Sequence, residues 1–140
     1  MKMRLLKIII FLVLTSSAVF GGTNYFNEGL VLYEKKEFDK AKFKFEQHIV
    51  FNPKNENAYL YLSKIFHVQK KKELEEKNLN TVILLNPKNE EATYNLAQLK
   101  LKESDFDGSK KLIEKLLIFC KDYCQKSNTL KIEIEKSLKK

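Results

Sequence analysis

The sequence predicts an all-α protein, an α-solenoid of antiparallel helical hairpins. The chain has only four Gly and two Pro, which is too few for the turns of a multi-stranded protein. Apolar residues recur at helical spacing, as at Ala41, Phe45 and Ile49. The two prolines, Pro53 and Pro87, stand in nearly identical surroundings. Their spacing of about 34 residues, called here the repeat period, indicates a helical-repeat architecture.

Composition narrows the class of partner. Hydrophobic residues make up 44% and charged residues 31%, so the chain can bury a core. The net charge is +8, but Lys2, Arg4 and Lys7 all fall within residues 1–21. Removing these three from the 26 basic residues leaves 23 against 18 acidic ones, and the excess is mostly lysine, often beside glutamate. This predicts a solvated mixed-charge surface and no nucleic-acid partner.

Residues 1–21 have the three zones of a bacterial export signal. A basic start is followed by an apolar run over residues 8–14 and by small residues over 15–18. The stretch between Lys7 and Gly22 is shorter than the roughly 20 residues that a membrane-spanning helix needs. The segment therefore favours a signal peptide over an anchor.

Two interpretations of this segment stay open. In one, the signal is cleaved after Ala18 or Gly21. In the other, it is extended by Leu5 and Leu6 and remains as an inner-membrane tether. In both, the rest of the chain lies outside the cytoplasm, because the positive charges stay inside. We expect an exported protein of the periplasm or cell envelope.

The repeat is punctuated by two matching stops. Residues 51–55 read Phe-Asn-Pro-Lys-Asn, and residues 85–89 read Leu-Asn-Pro-Lys-Asn. Proline disfavours the helical conformation in the residue before it and cannot donate its own amide to a helix. A helix is therefore predicted to end at each Asn-Pro. Asn55 and Asn89 then supply side-chain oxygens that suit the N-cap of the next helix.

This pattern resembles the tetratricopeptide repeat (TPR) family. Three units match it over residues 22–123, namely 22–55, 56–89 and 90–123, with aromatic residues such as Tyr25 and Tyr59 at the first aromatic position. The resemblance implies a set of residues that pack the hairpins together: Gly29, Ala41, Phe45, Pro53, Ser63, Pro87 and Ala97. The chain also departs from the family. Glu75 and Ser109 stand where the family has a small alanine, and Lys121 replaces the third closing proline.

Residues 124–140 predict one further helix. Leu130, Ile134 and Leu138 recur at every fourth position, among lysine and glutamate. A narrow apolar stripe with a polar back is what a capping helix needs at the end of a repeat array. The predicted architecture is therefore three hairpins and a C-terminal capping helix.

The resemblance implies that the chain binds another protein. In this family a groove runs along the inner face of the first helix of each hairpin. The residues at those positions are Phe26, Leu30, Tyr33, Leu60, Lys64, His67, Tyr94, Gln98 and Leu101. Such a surface suits an amphipathic helix or extended peptide, with aromatic anchors and Lys64 as a partner for an acid. The alternative that Phe26 or Leu30 packs against the neighbouring helix stays open.

One subgroup of the family grips the terminal carboxylate of chaperones with a set of Lys, Asn and Arg side chains. The corresponding positions here hold Phe26, Leu30, Tyr61, Glu91 and Asn95. A chaperone adaptor that uses this clamp is therefore not expected.

No catalytic pattern is found in the sequence. The two histidines, His48 and His67, lie in different units without a neighbouring cysteine or a paired carboxylate motif. The chain has no glycine-rich phosphate loop and no HExxH motif. We expect no enzyme activity, no cofactor and no metal.

Cys120 and Cys124 are the only cysteines. Outside the cytoplasm they can pair with each other. Cα atoms at positions i and i+4 of a helix lie about 6 Å from each other, near the upper end of disulfide geometry. A bond would therefore fit best where the helix ends, near residues 121–123. A buried Cys120 beside a free Cys124 is the alternative.

Overall fold

A computed structural model describes residues 22–139. Every regular element in this range is an α-helix, as the sequence predicts: α1 (Gly22–Glu34), α2 (Phe38–Phe51), α3 (Glu56–Val68), α4 (Lys72–Leu85), α5 (Glu90–Lys102), α6 (Phe106–Phe119) and α7 (Cys124–Leu138). The predicted export segment, residues 1–21, lies outside the described residues. Within the described range, no helix has the length and apolar character that crossing a membrane requires.

The described residues form two compact units that divide after Asn52. The first holds the hairpin of α1 and α2, and the second holds α3 to α7. In the second unit, α3 packs on α4 and α5 packs on α6, and α4 also contacts α5. The last helix, α7, packs on α6 and touches α5.

The repeat period is kept in the helix boundaries. The first helices of the hairpins begin at Gly22, Glu56 and Glu90, and the second helices begin at Phe38, Lys72 and Phe106. α7 begins at Cys124, one further repeat period after Glu90. α7 therefore stands where the first helix of a fourth unit would begin.

The two Asn-Pro stops act as the sequence predicts. Asn52 and Asn86 are the C-caps of α2 and α4. The side chain of Asn55 accepts a hydrogen bond from the Ala58 amide at 3.2 Å, and Asn89 accepts one from the Ala92 amide at 2.9 Å. Both asparagines are therefore N-caps, which satisfy amide groups that the helix itself leaves unpaired.

The turn inside each hairpin contains one residue in the left-handed region. These residues are Lys36 (φ 60°), Lys70 (φ 58°) and Ser104 (φ 63°). They too recur at the repeat period. Since a side chain is disfavoured in this conformation, the hairpin turns carry a small repeated backbone strain.

The core of the first unit explains why a glycine stands in α1. A Cβ atom on Gly29 would lie 2.7 Å from Cε1 of Phe45, so α1 approaches α2 more closely than a larger residue would allow. Phe45 and Ala41 are fully buried. His48 is also buried and lies beside the ring of Phe26, 5.3 Å between centroids. The histidine thus fills space in the core of this hairpin.

The second unit has two clusters of buried apolar side chains. One joins α3, α4 and α5 and contains Leu60, Leu79, Val82, Ala92, Leu96 and Leu99. The other joins α5, α6 and α7 and contains Ala97, Ile113, Leu116, Leu130 and Ile134. Two side chains of α7 thus belong to the same core as the last hairpin.

Three polar residues at predicted packing positions have hydrogen-bond partners. Glu75 is 5% exposed, and its Oε1 is hydrogen-bonded to Nδ1 of His67 at 2.9 Å. Ser109 donates to the carbonyl of Ala97 at 2.8 Å, and Ser63 donates to the carbonyl of Leu60 at 2.7 Å. Buried polar groups that keep a hydrogen bond cost little. The two departures from the family pattern, Glu75 and Ser109, are therefore accommodated within the helical hairpins.

Candidate functional site

The three predicted binding residues of the first unit all lie on α1 and are half-buried. Phe26 packs edge-on against Phe45 with ring centroids 5.5 Å apart. Tyr33 packs against Phe38 at 5.6 Å. Both aromatic rings therefore help to hold α1 on α2, and the alternative that Phe26 packs against the neighbouring helix agrees with these contacts. Leu30, the third of these residues, lies between the other two along the helix.

The expectation that Leu60 lies on an open surface is wrong. Leu60 is only 6% exposed and belongs to the cluster with Leu96 and Leu99 of α5. The side of α3 that carries Leu60 is covered by the next hairpin. Leu60 is therefore a core residue in this arrangement.

Lys64 and His67 of α3 are engaged within the second unit. Nζ of Lys64 lies 2.8 Å from Oε1 of Glu91 on α5, and 4.9 Å from the centre of the Tyr61 ring. His67 is bonded to Glu75 of α4. The expectation that Lys64 offers its charge to an acidic ligand needs correction, because that charge already pairs with a carboxylate of the same unit.

The remaining predicted residues, Tyr94, Gln98 and Leu101, all lie on α5, and two of them line one cleft. Gln98 and Leu101 line a cleft of about 290 Å³ between α5, the start of α6 and the second half of α7. Its other lining residues are Lys102, Phe106, Leu130, Glu133 and Ser137. This cleft, called here the α5–α7 cleft, is the candidate site of the second unit.

Tyr94 lies one turn before Gln98 on α5. Its hydroxyl accepts a hydrogen bond from Nε2 of Gln98 at 3.2 Å, and its ring lies 5.4 Å from the ring of Tyr123. Burial, together with the charge of Glu133, raises the pKa of Tyr94. Tyr94 thus fixes the orientation of the Gln98 amide at the cleft.

An ion pair fixes α5 from its other side. Nζ of Lys100 lies 2.6 Å from Glu76 of α4 and 3.6 Å from Glu103. The hydrogen bond to Glu76 is the main reason that the pKa of Lys100 is raised. α5 is therefore tied to α4 on this side, which leaves its Gln98 side facing the cleft.

The loop after α6 is held by a residue that the sequence reasoning did not single out. The carboxylate of Glu90, the first residue of α5, accepts backbone hydrogen bonds from Lys121 at 2.8 Å, Asp122 at 3.0 Å and Tyr123 at 2.9 Å. Burial alone would raise the pKa of Glu90, but these three donors outweigh it and lower the pKa. The sequence did hold one signal for this role, because Glu56 occupies the same position one repeat period earlier.

Cys120 and Cys124 are joined by a disulfide bond, with their Cα atoms 5.3 Å apart. Cys120 is the C-cap of α6, and Cys124 is the first residue of α7. The bond therefore crosses the break between two helices, where the sequence predicted that it would fit. The alternative of a free Cys124 does not hold.

The described residues contain no group of three or more His, Cys, Asp or Glu side chains that could hold a metal ion. The groups around the α5–α7 cleft are an amide, a hydroxyl, single charges and apolar side chains. What this arrangement offers chemically is apolar contact and hydrogen bonding.

No family profile matches the chain. No curated protein matches it either. Several solved structures do match the chain. The first TPR of Spaghetti (RPAP3) bound to the HSP90 peptide SRMEEVD has a TM-score of 0.76 at 15% identity, over 85% of this chain and 94% of that one. The TPR2B domain of yeast Sti1 in a pHsp70 complex has a TM-score of 0.75 at 11% identity, over 82% and 96%.

A bacterial structure is similar to the same degree. The Yersinia enterocolitica type III secretion chaperone SycD, in complex with a peptide of the translocator YopD, has a TM-score of 0.75 at 9% identity, over 81% of this chain and 91% of that one. Identities this low show the fold alone. The chain therefore has the tetratricopeptide repeat fold, as its repeat period predicts.

Proposed function

We propose that this chain is a non-catalytic adaptor that binds a peptide or helix of another protein in the α5–α7 cleft. The observation that carries the proposal is the position of Gln98 and Leu101, which line this cleft in the second unit. Both lie on the first-helix face where the family resemblance implies a ligand.

The lining of the cleft suits one apolar side chain of a partner. Leu101, Phe106 and Leu130 supply apolar contact, and Gln98 and Glu133 supply hydrogen-bonding groups. Binding sites for peptides and small ligands commonly combine an apolar floor with a few polar groups that fix orientation. An amphipathic helix that presents a leucine or phenylalanine anchor would match this combination.

Three solved proteins with this fold are in complex with a peptide or partner, namely an HSP90 peptide, pHsp70 and a YopD peptide. They support a protein ligand for this chain without naming it. A terminal carboxylate is not the ligand we propose. Lys64 pairs with Glu91, and Glu91 occupies one of the positions at which the clamp subgroup has a basic or amide side chain.

We further propose that the adaptor works outside the cytoplasm, in the periplasm or cell envelope. The basic, apolar and small-residue zones of residues 1–21 support export. The disulfide between Cys120 and Cys124 supports an oxidising compartment, where such bonds persist. Release of the protein by osmotic shock would agree with a cleaved signal.

Photo-crosslinking at single positions tests the adaptor proposal. A photoreactive amino acid in place of Gln98 is compared with the same residue in place of Ile118, which lies on α6 and is 86% exposed. Crosslinking in intact cells should give a discrete adduct with one partner from position 98 and none from position 118. Equal adducts from both positions, or none from position 98, would contradict the proposal.

A membrane-anchored structural subunit is the second candidate, and it is supported by Leu5 and Leu6, which can extend the apolar run over residues 8–14 past Lys7. It predicts a protein that starts at Met1 and that only detergent releases from the envelope fraction. N-terminal sequencing of that fraction distinguishes the two candidates, since a cleaved start near residue 19 or 22 excludes the anchored one.

A further inference from the structure

The two cysteines lie one repeat period after two residues at the α4–α5 junction. Cys120 lies one repeat period after Asn86, the C-cap of α4, and Cys124 lies one repeat period after Glu90. Cys120 thus stands where the second unit closes with Asn86, and Cys124 stands at the position that Glu90 occupies at the start of the third unit. The disulfide therefore lies at the place equivalent to the α4–α5 junction, with Cys120 where Asn86 donates a hydrogen bond to Glu56.

The preceding junction, between α4 and α5, is held without any covalent bond. Oε1 of Glu56 accepts hydrogen bonds from the side-chain amides of Asn86 at 2.8 Å and Asn89 at 3.2 Å. The side chain of Asn89 also caps α5 through the Ala92 amide. Pro87 further restricts the backbone of this loop.

The junction between α6 and α7 lacks two of these supports. Its loop has no proline, and Tyr123 at the N-cap of α7 makes no side-chain cap hydrogen bond. This junction is held by the disulfide, by the carboxylate of Glu90, which accepts hydrogen bonds from three backbone amides of residues 121–123, and by the ring contact between Tyr94 and Tyr123. One of these supports, the disulfide, is a bond that a reductant can break.

α7 is attached to the last hairpin along one narrow apolar side. Leu130 and Ile134 are its buried apolar side chains, whereas Ile132 is 53% exposed and Leu138 is 45% exposed. In the described part of the chain, α7 packs on α6 and touches α5. Its Leu130, Glu133 and Ser137 form one wall of the α5–α7 cleft. The position of α7 therefore decides whether that wall exists.

We propose that the Cys120–Cys124 disulfide is a redox latch on α7: its reduction by a dithiol releases the start of this helix and removes one wall of the cleft. The significance of the latch for partner binding rests on the adaptor function proposed above. The release of α7 does not depend on it.

The chemistry is thiol–disulfide exchange. A thiolate of the dithiol attacks one sulfur of the bond, which gives a mixed disulfide and releases the other cysteine as a thiolate. The second thiol of the reductant then displaces the bound cysteine. In total the protein disulfide gains two electrons and two protons, and the dithiol becomes a disulfide. Both cysteines are half-buried and the intervening Lys121 and Asp122 are exposed, so a small dithiol can reach the site.

Hydrogen exchange of the full chain, followed by mass spectrometry, tests the latch. The protein is measured oxidised and after treatment with dithiothreitol. Peptides from α7 should exchange about tenfold faster or more in the reduced protein, because the constraint of the closed loop is lost. Peptides from α3 and α4 should change less than about twofold. Unchanged exchange in α7, or equal acceleration in all helices, would overturn the proposal.

Variants separate the bond from other effects of the reductant. The double variant Cys120→Ser, Cys124→Ser should show the fast α7 exchange without reductant and no response to it. If this variant does not fold, reoxidation of the reduced native chain must restore slow exchange in α7. Slow exchange in the double variant, or a failure of reoxidation to restore protection, contradicts the latch.

A second measurement keeps the latch and the adaptor function distinguishable. Crosslinking from position 98 is repeated with and without dithiothreitol. A yield that falls at least about fivefold in the reduced protein, alongside faster α7 exchange, supports the latch as a control on binding. If position 98 gives no adduct in either state while α7 exchange responds to reduction, the adaptor proposal fails and the latch stands. If α7 exchange does not respond, the latch fails whatever the adduct yield.

Discussion

The junction between α4 and α5 and the junction between α6 and α7 lie in the same unit and have the same length. Residues 86–89 form the first and residues 120–123 form the second. In each, an acid at the start of the hairpin, Glu56 or Glu90, reaches the loop that closes that hairpin. The donors differ, being two side-chain amides in the first and three backbone amides in the second.

This difference shows which part of the repeat is fixed. The acid can accept from any donor that the loop presents, so the loop sequence can change while the geometry remains. Proline and asparagine supply a rigid, capped loop at one junction. At the other, a disulfide supplies the rigidity and exposed backbone amides supply the donors. Only the second arrangement responds to redox conditions.

The largest expected effect on the free energy of unfolding comes from matched core substitutions in α5 and α7, the helices that follow the two junctions. Leu96 of α5 and Leu130 of α7 lie one repeat period apart and are each 4% exposed. Leu96→Ala should lower the free energy of unfolding by about 3 kcal/mol because it leaves a cavity in a core bounded by three helices. Leu130→Ala should lower the free energy of unfolding by less, because α7 can shift to fill the cavity. Urea-induced unfolding of the oxidised protein measures this difference. An equal loss at both sites would mean that α7 is held as firmly as α5.

Exchanging one loop chemistry for the other tests whether the junctions are equivalent. In the graft, Cys120→Asn, Lys121→Pro, Asp122→Lys, Tyr123→Asn and Cys124→Glu rebuild the sequence of residues 86–90 in the third unit. The amides of the introduced asparagines should reach Glu90 as those of Asn86 and Asn89 reach Glu56. We expect thermal stability that no longer depends on reductant.

The matched comparison for the graft is the double serine variant, which removes the bond without supplying a replacement. Its free energy of unfolding should be about 2 kcal/mol lower than that of the oxidised chain, which is the value expected for a disulfide that closes so short a loop. A graft no more stable than the double serine variant would show that the two junctions are not interchangeable.

The acid of the third junction gives a smaller, pH-dependent effect. The pKa of Glu90 is lowered in the folded state, so its contribution to stability is present above its unfolded pKa, near 4.5, and is lost as the pH falls through the folded pKa. Glu90→Gln should therefore lower the urea midpoint at pH 6, and the gap from the native chain should close toward pH 3.

Glu135→Gln on the exposed side of α7 is the control for this charge change. It should leave the urea midpoint almost unchanged at both pH values. A gap between the native chain and Glu90→Gln that persists at low pH would mean that the glutamine side chain disturbs the loop sterically.

The smallest effect on stability is expected at the turns inside the α3–α4 and α5–α6 hairpins, which have the same backbone conformation. Lys70 and Ser104 both have positive φ. Glycine would remove a strain of about 1 kcal/mol but would increase the entropy of the unfolded chain by about half of that or more. Lys70→Gly and Ser104→Gly should each raise stability by a few tenths of a kcal/mol, measured as the denaturant midpoint. Opposite signs at the two sites would show that the turns differ after all.

The parts of the fold that repeat were predictable from the sequence. The Asn-Pro stops and the asparagine caps rely on local backbone chemistry, so Asn55 and Asn89 could be assigned from their neighbours alone. The helical spacing of Ala41 and Phe45 likewise identified the buried side of α2. Each of these signals lies within a short stretch of the chain.

What the sequence did not predict depends on contacts between distant residues. Glu90 meets a loop that lies almost a whole repeat period away, and its three donors there are backbone amides, which leave no trace in the residue types. Leu60 was misassigned because the family pattern places it on the inner face of a first helix, and that position does not show which inner-face residues the next hairpin covers. Here the packing of α5 covers it.

The hydrogen bonds that Glu56 accepts from Asn86 and Asn89 bear on how the chain could change in length. The acid, both amide donors and the cap of the next helix all come from residues 56–89. A tandem copy of this segment, inserted between Asn89 and Glu90, would bring every group that its own closure requires. Lengthening by duplication therefore needs no compensating substitution, and the disulfide-closed end would simply be carried one repeat period further along.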